Sequence, residues 1–250
     1  MDLLFDLGHS RLKWAGWAHG QLHAPASAEW RGQAPEQFCQ RILANLDRPQ
    51  RVGIAAVARG EPLLALQDAL RTRWDCSVSA PLAAARCGPV RNGYRDPAQL
   101  GFDRWAALVG AHARQPGHAA LVVDCGSAVT VDGLRGDGQH LGGIIFPGPV
   151  MMAEAFYGRT GLPPAAVGSA SAIAARTTAD AVAAGVWQAI WGGVERAIRA
   201  WQAHLPQATV WLTGGDAATV ARGMTLPIPV QHAPHLVLEG LGQILEREDE

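Results

Sequence analysis

The chain has 250 residues, 48% of them apolar and 17% charged, with a formal net charge of −1 and a pI near 6.8. That balance gives no electrostatic basis for binding nucleic acid or an acidic membrane surface, and the apolar content suffices for one large domain or two of about 120 residues. No stretch approaches the ~20 apolar residues of a membrane span, and Asp2 and Asp6 interrupt the N-terminal apolar run, so it does not read as a signal peptide.

In chain order, the pattern predicts antiparallel strands over 2–8, 11–18 and 21–30, with turns at Gly8-His9-Ser10 and Gly20. Helical spacing over Pro35–Leu46 puts Phe38, Ile42, Leu43 and Leu46 on one face, a buried strand spans Arg51–Val57, and a helix spans Pro62–Trp74 with Leu63, Leu66 and Leu70 inward. Pro81–Pro97, rich in Gly and Pro, reads as an irregular loop before a helix over Phe102–Arg114. The strand theme then restarts at Leu121–Val123, Val129–Leu134 and His140–Phe146. A helix begins near Pro149, a long one covers about Thr178–His204, and a strand covers Thr209–Leu212. A short helix follows Gly214-Gly215, the last helix spans about Leu236–Arg247, and Glu246–Glu250 reads as a frayed acidic tail. Three antiparallel strands followed by α/β elements thus occur twice. The duplication implies two similar lobes, 1–117 and 118–250, with mixed sheets and a cleft between them, and with the final helix (about 236–247) crossing back onto the first lobe.

The short phrase Asp6-Leu7-Gly8-His9-Ser10 returns as Asp124-Cys125-Gly126-Ser127-Ala128, each behind an apolar run. Each reads as strand, tight turn, strand, with a carboxylate at the end of the first strand. Glycine lets the backbone turn and approach a ligand. The hydroxyls and turn amides can donate to phosphate oxygens, and the Asp can hold Mg²⁺ directly or through water. One Asp-x-Gly is ordinary turn chemistry; two at matching strand ends could grip a nucleoside triphosphate from both sides. Of 21 basic residues only Lys13 is a lysine, and it lies in the first phrase, where a compact ammonium could reach a phosphate.

A third glycine turn, Leu212-Thr213-Gly214-Gly215-Asp216, could let an adenine or ribose lie on the backbone. With the two Asp-x-Gly turns it resembles the actin-like ATPase superfamily; no Walker A or kinase Gly-rich loop competes. Gly101-Phe102-Asp103-Arg104 stands at a loop-to-helix junction. Asp103 there is either a helix-terminus residue favoured by the macrodipole or a general base for a substrate hydroxyl, and Arg104 offers a planar fork for a carboxylate. Gly142-Gly143-x-Ile145-x-Pro147-Gly148 suggests close backbone approach to a ligand, or plain packing. Cys39, Cys76, Cys87 and Cys125 lack metal-ligand spacing and read as free buried thiols in a reducing, cytoplasmic setting; the nine His likewise lack zinc spacing. The nine Trp show no paired stripe, and Trp187, Trp191 and Trp201 on the long helix read as core or dimer surface.

Taken in order, Asp6-x-Gly8-x-Ser10-x-x-Lys13, Gly101-Phe102-Asp103-Arg104, Asp124-x-Gly126-Ser127-Ala128-x-Thr130, Gly142-Gly143-x-Ile145-x-Pro147-Gly148 and Thr178 with Gly185 resemble the type III pantothenate kinases over nearly the whole chain. The resemblance is closest to proteobacterial members once described as virulence-regulator accessory factors. It implies an α/β duplicated actin-like (ribonuclease H-like) fold and ATP-dependent phosphorylation of pantothenate, the first step to coenzyme A. It further implies Mg²⁺ with ATP, a monovalent cation (K⁺ or NH₄⁺) and a homodimer. By the same resemblance Asp6, Leu7, Gly8, His9, Ser10, Arg11, Leu12 and Lys13 form the first phosphate loop, with Ser127 a further ATP contact. Asp103 is the proton acceptor, and Tyr94, Gly101, Phe102, Asp103 and Arg104 contact pantothenate. Thr178 reaches the substrate across the dimer or the cleft, and Asp124 sits at the cation site. His9 stands where the family usually has Asn, Ser10 and Ser127 where Thr is common, and Thr177 where Asn often stands. Two other readings stay open: an actin-like kinase for another small hydroxylated substrate, and a nucleotide-binding regulatory protein without transfer.

Overall fold

The computed structural model describes residues 1–56, 60–168, 173–225 and 230–247. Val57, expected to end the fourth strand, and residues 248–250 of the expected tail lie outside the described residues. Five strands, Asp2–Leu7 (β1), Arg11–Ala18 (β2), Gln21–Glu29 (β3), Arg51–Ala56 (β4) and Ser77–Ser79 (β5), form a mixed sheet in the order β3-β2-β1-β4-β5. β1 to β3 are an antiparallel meander, while β1, β4 and β5 are parallel and joined through helices α1 (Pro35–Leu43) and α2 (Glu61–Arg73). A two-strand hairpin, β6 (Arg86–Cys87) with β7 (Val90–Arg91), precedes a 3₁₀ turn at Pro97–Gln99 and helix α3 (Phe102–Arg114). The pattern then repeats. Strands β8 (Ala120–Cys125), β9 (Ala128–Leu134), β10 (His140–Pro147), β11 (Thr209–Thr213) and β12 (Val230–His232) form a second sheet in the order β10-β9-β8-β11-β12, with the same strand directions. Helices α4 (Pro149–Thr160) and α5 (Thr178–Gln202) lead from β10 to β11, α6 (Ala217–Gly223) leads on to β12, and α7 (Leu236–Arg247) ends the described chain.

The central position of β1 explains its sequence. A strand flanked on both edges and covered on both faces must be apolar throughout rather than alternating, and all six of its residues are buried. Its two carboxylates are tolerated because each is paired across the sheet: Asp2 accepts from Arg51 of β4 at 2.7 and 3.0 Å, and Asp6 faces Lys13 of β2 at 3.5 Å. The outer strand β3 alternates and is largely exposed. Pro25 is acceptable there because an edge strand has one side with no ladder bond to lose, and a bulge with Ala24 at φ 46° shifts the register.

By its contacts the chain divides into two compact units, one of Met1–Gln115 together with the stretch from His235, the other of Pro116–Pro234. In the first, Leu3, Phe5, Leu7, Ile54, Leu66 and Leu70 are core, and α7 packs on α3 with backbones nearly touching. A Cβ on Gly240 would lie 1.7 Å from the Ala106 carbonyl oxygen, and one on Gly110 would lie 2.6 Å from that of Leu236. Glycine at both places is therefore a steric requirement. A bidentate ion pair from Arg114 to Glu239 (2.5 and 2.6 Å) and a bond from Trp17 to Glu246 (2.8 Å) fasten α7 further. In the second unit Leu121, Val123, Val129, Ile190, Val194 and Ile198 are core, each worth about 1.5–3 kcal/mol on burial.

Several expectations change. The loop 81–97 contains the β6–β7 hairpin and the 3₁₀ turn, and the three-residue strands β5 and β12 were not visible as patterns. α1 stops at Leu43, and Leu46 closes a turn onto Leu43 instead. Trp187 and Trp191, one helical turn apart, stack with centroids 5.9 Å apart, so the tryptophans do include a pair. Only Cys39 and Cys125 are buried; Cys76 and Cys87 are half-buried, and none of the four forms a disulfide among the described residues. Glu246 belongs to α7 and holds Trp17, so the acidic stretch begins as ordered helix. Among the described residues no helix is long and apolar enough to cross a membrane.

Candidate functional site

In the first unit the site is built at the end of β1. Asp6 is its penultimate residue and Lys13 its antiparallel register partner, so their side chains share a face. Asp6 is buried, and loss of hydration raises its pKa, while Lys13 pulls it back down. The following turn closes by Gly8 N–H donating to the Arg11 carbonyl (3.0 Å) and is braced by the Trp30 indole donating to the Gly8 carbonyl (3.1 Å). Gly8 does not have positive φ. A Cβ there would sit 3.3 Å from the Arg11 oxygen, so the glycine keeps the turn slim rather than left-handed. His9 is exposed and Ser10 half-buried, while the Leu7 and Leu12 side chains are core, leaving only their backbone to the loop.

α3 starts at Phe102 with Gly101 before it, which puts Asp103 in the first turn rather than at the cap. The Asp103 carboxylate folds back over Gly101, where a Cβ would lie 2.6 Å from its Oδ1; that close approach is what Gly101 permits. Burial raises the Asp103 pKa most, and the charge of Asp6 raises it further. The backbone amides of Arg104 and of Asp103 itself, with the Arg104 guanidinium, pull it down. The two structural readings of Asp103 therefore coexist: the carboxylate meets first-turn amides and also faces a second carboxylate. Arg104 is 5% exposed and donates from Nη1 to the Tyr94 hydroxyl at 2.8 Å. Phe102 is core. Asn92, which sequence reasoning passed over, binds three parts of the preceding loop: its Nδ2 donates to the Ala84 and Pro97 carbonyls (both 3.2 Å) and its Oδ1 accepts from Tyr94 N–H (3.0 Å).

In the second unit Asp124 holds the place in β8 that Asp6 holds in β1. Its register partners are Thr130 on β9 and Thr213 on β11, so a threonine replaces the lysine of the first unit. Thr213 is fully buried, and its hydroxyl has no hydrogen-bond partner among the described residues. Two glycines shape this turn from outside. Gly214 has φ +93°, and a Cβ on it would lie 2.4 Å from Asp124 Oδ1; a Cβ on Gly148 would lie 2.0 Å from the Gly126 carbonyl oxygen. Packing accounts for two glycines of the Gly142–Gly148 phrase: Gly148 seats the Asp124–Ser127 turn and Gly143 leaves room for the buried Asp132, which meets His140 at 3.0 Å, while Gly142 has φ +99° with open space around it. Gly126 closes its turn onto Ala128 (3.0 Å), and Ser127 is half-buried beside it. Burial, with Asp124 and Asp216 nearby, raises the Cys125 thiol pKa and keeps it neutral. Thr178 is exposed in the first turn of α5, capped by the neighbouring Thr177, whose Oγ1 accepts from Asp180 N–H at 3.1 Å. The structure therefore gathers Asp6, Lys13, Asp103, Arg104 and Tyr94 in one unit, and Asp124, Ser127 and Thr178 fall in the other.

A sequence model of the family described as type III pantothenate kinase matches residues 2–200. Proteins named type III pantothenate kinase are similar along their length: one from Alkalilimnicola ehrlichii is 40% identical over 97% of this chain and 96% of its own, and one from Aromatoleum aromaticum is 40% identical over 100% and 99%. Among solved structures, a conserved protein assigned to the Baf family of transcriptional activators from Campylobacter jejuni superposes with TM-score 0.61 at 21% identity, covering 99% of this chain and 98% of its own. The activator of 2-hydroxyisocaproyl-CoA dehydratase from Clostridium difficile, solved with bound ADPNP, gives 0.56 at 13% identity, covering 99% and 94%. At such identities these two likenesses bear on fold alone. With the twice-repeated sheet order they establish the duplicated actin-like ATPase fold.

Proposed function

This chain belongs to the type III pantothenate kinase family, and we propose that it transfers the γ-phosphoryl group of ATP to the primary hydroxyl of pantothenate as the entry to coenzyme A synthesis. The observation that carries the reading is the grouping of Asp103, Arg104 and Tyr94 beside the Asp6–Lys13 pair. Phosphoryl transfer passes through a loose transition state, so positioning and charge neutralisation do most of the work. Asp103 takes the hydroxyl proton; burial, and after it the charge of Asp6, raise its proton affinity above that of an ordinary carboxylate, which favours a general base. Arg104, oriented by Tyr94, holds the acceptor's carboxylate, and the Tyr94 hydroxyl keeps its own proton to donate. Lys13 neutralises phosphate charge at the Gly8 turn, Ser127 donates to phosphate, and Thr178 meets the acceptor. Cytoplasmic location is the setting this chemistry implies.

The kinase uses ATP with a divalent metal, for which we take Mg²⁺. No cluster of three His, Cys, Asp or Glu exists among the described residues. Mg²⁺ keeps most of its waters and is held by one or two carboxylates plus phosphates. Asp6, a buried carboxylate offset by a single ammonium at 3.5 Å, would take that part. Asp124 has Thr130 and Thr213 as its strand-register neighbours, residues that offer oxygen alone and include one buried hydroxyl with no partner among the described residues, and would hold a K⁺ or NH₄⁺ ion that screens phosphate charge. We take the protein to be a homodimer. The edge strand β10 exposes Leu141, Ile144 and Ile145, and α4 exposes Val150, Met151 and Phe156, a surface that an unpaired edge seldom leaves bare. Ile145→Arg is expected to shift the protein to monomer in sedimentation analysis, and an unchanged dimer would place the interface elsewhere.

Purified protein with ATP, Mg²⁺ and K⁺ or NH₄⁺ is expected to release ADP with pantothenate and not with a panel of sugars. Release with a sugar alone would assign the other kinase reading; nucleotide binding without release would assign a regulatory one.

A further inference from the structure

We propose that Asn92 is the positioning residue that sets affinity for the acceptor, by holding the loop that presents Tyr94 to Arg104. The inference rests on the reading above, in which Tyr94 and Arg104 hold pantothenate.

The loop 81–97 contains little regular secondary structure. Its only ladder is the four-residue β6–β7 hairpin, far below the size at which a hairpin is stable by itself. Asn92 follows β7 directly, and its backbone N–H donates to the Ala85 carbonyl at 2.9 Å. Its side chain then joins the segment before the hairpin to the segment after it. One amide group donates to Ala84 and to Pro97 and accepts from Tyr94, using both donor hydrogens and the oxygen. The bond to the residue two positions on is an Asx turn, which fixes the backbone that carries the Tyr94 ring. From that ring the hydroxyl reaches Arg104 at 2.8 Å. No other common side chain of this length offers two donors and an acceptor: Asp would aim a carboxylate at two carbonyl oxygens, and Ala would leave all three groups open. Asn92 meets Tyr94 at its backbone amide rather than at the hydroxyl, so it acts by placing Tyr94.

The test is steady-state kinetics on the full chain with Asn92→Ala, Asn92→Asp, Tyr94→Phe and the double variant Asn92→Ala/Tyr94→Phe, with amide hydrogen exchange of the 84–97 segment. Asn92→Ala is expected to raise the pantothenate KM about tenfold while the ATP KM stays within about twofold, since three modest hydrogen bonds are lost at one ligand's site. Asn92→Asp, which keeps the acceptor for Tyr94 N–H, is expected to raise the pantothenate KM too, by less than Ala. In the Tyr94→Phe background Asn92→Ala is expected to add less than about twofold, because residues acting through one contact are not additive. Faster exchange of 84–97 should accompany the KM change. Equal rises in both KM values, full additivity with Tyr94→Phe, or unchanged exchange would each overturn the proposal. Wild-type protein without pantothenate-dependent ADP release would overturn the underlying reading and this one with it, a result separate from any variant's behaviour.

Discussion

Asp103→Asn is expected to lower kcat by about 10²–10⁴-fold, the range lost with a general base, and to raise the melting temperature at neutral pH. The substitution keeps shape while removing the negative charge and with it the ability to take a proton. The stability gain follows from what raises the pKa: a carboxylate that is largely desolvated and faces Asp6 is costly to keep ionised. Because the folded-state pKa lies above the unfolded value, the wild type carries this penalty fully at pH values above the folded pKa. The penalty is relieved as pH falls through that value towards the ordinary carboxylate range, where the native state takes up the proton first. The gap in melting temperature between variant and wild type should therefore be widest near neutral pH and narrow in acid. The wild-type kcat/KM should fall along the same acid limb, as Asp103 becomes protonated. Turnover near wild type would end the general-base role. A variant that melts lower at neutral pH would mean that the first-turn amides outweigh burial, making Asp103 chiefly a helix-terminus residue.

What was legible in the sequence were features whose cause is local. Apolar runs ending in Asp-x-Gly disclosed β1 and β8 with their turns, because a central strand must be apolar along its whole length and glycine keeps the turn slim. Lys13 could be placed near Asp6 because the antiparallel turn makes them register partners. Features settled by distant chain were not legible. β5 and β12 are three residues each and exist only through pairing with β4 and β11. Gly148 and Gly214 have a packing requirement that the pattern did not disclose, since a Cβ on either would strike the Asp124–Ser127 turn. The 81–97 loop looked irregular because the bonds that order it run from one asparagine side chain to backbone at three separate points. The positions of Asp103 and Arg104 followed from the motif, whereas the carboxylate's place over Gly101 and the reach of Arg104 to Tyr94 needed the folded loop.

Arg104→Lys is expected to raise the pantothenate KM by about 10–100-fold, the cost of a lost charge-assisted hydrogen bond of about 1.5–3 kcal/mol, with the ATP KM nearly unchanged. Both side chains carry one positive charge, so the change isolates geometry. The guanidinium can give one N–H to the Tyr94 hydroxyl and still offer a parallel pair to a carboxylate, whereas the ammonium is a point donor on a flexible stem. Arg104 is buried, so the shorter head of lysine also leaves space where the outer nitrogens stood. The pH dependence separates this role from an indirect one. Arg104 lowers the Asp103 pKa by its charge, which lysine retains, so the acid limb of kcat/KM should stay in place while the pantothenate KM rises. A limb displaced to higher pH, with both KM values up together, would instead make Arg104 an electrostatic support for Asp103. The carboxylate of the acceptor would then need another partner, and the exposed Thr178 region of α5 would be the next place to probe.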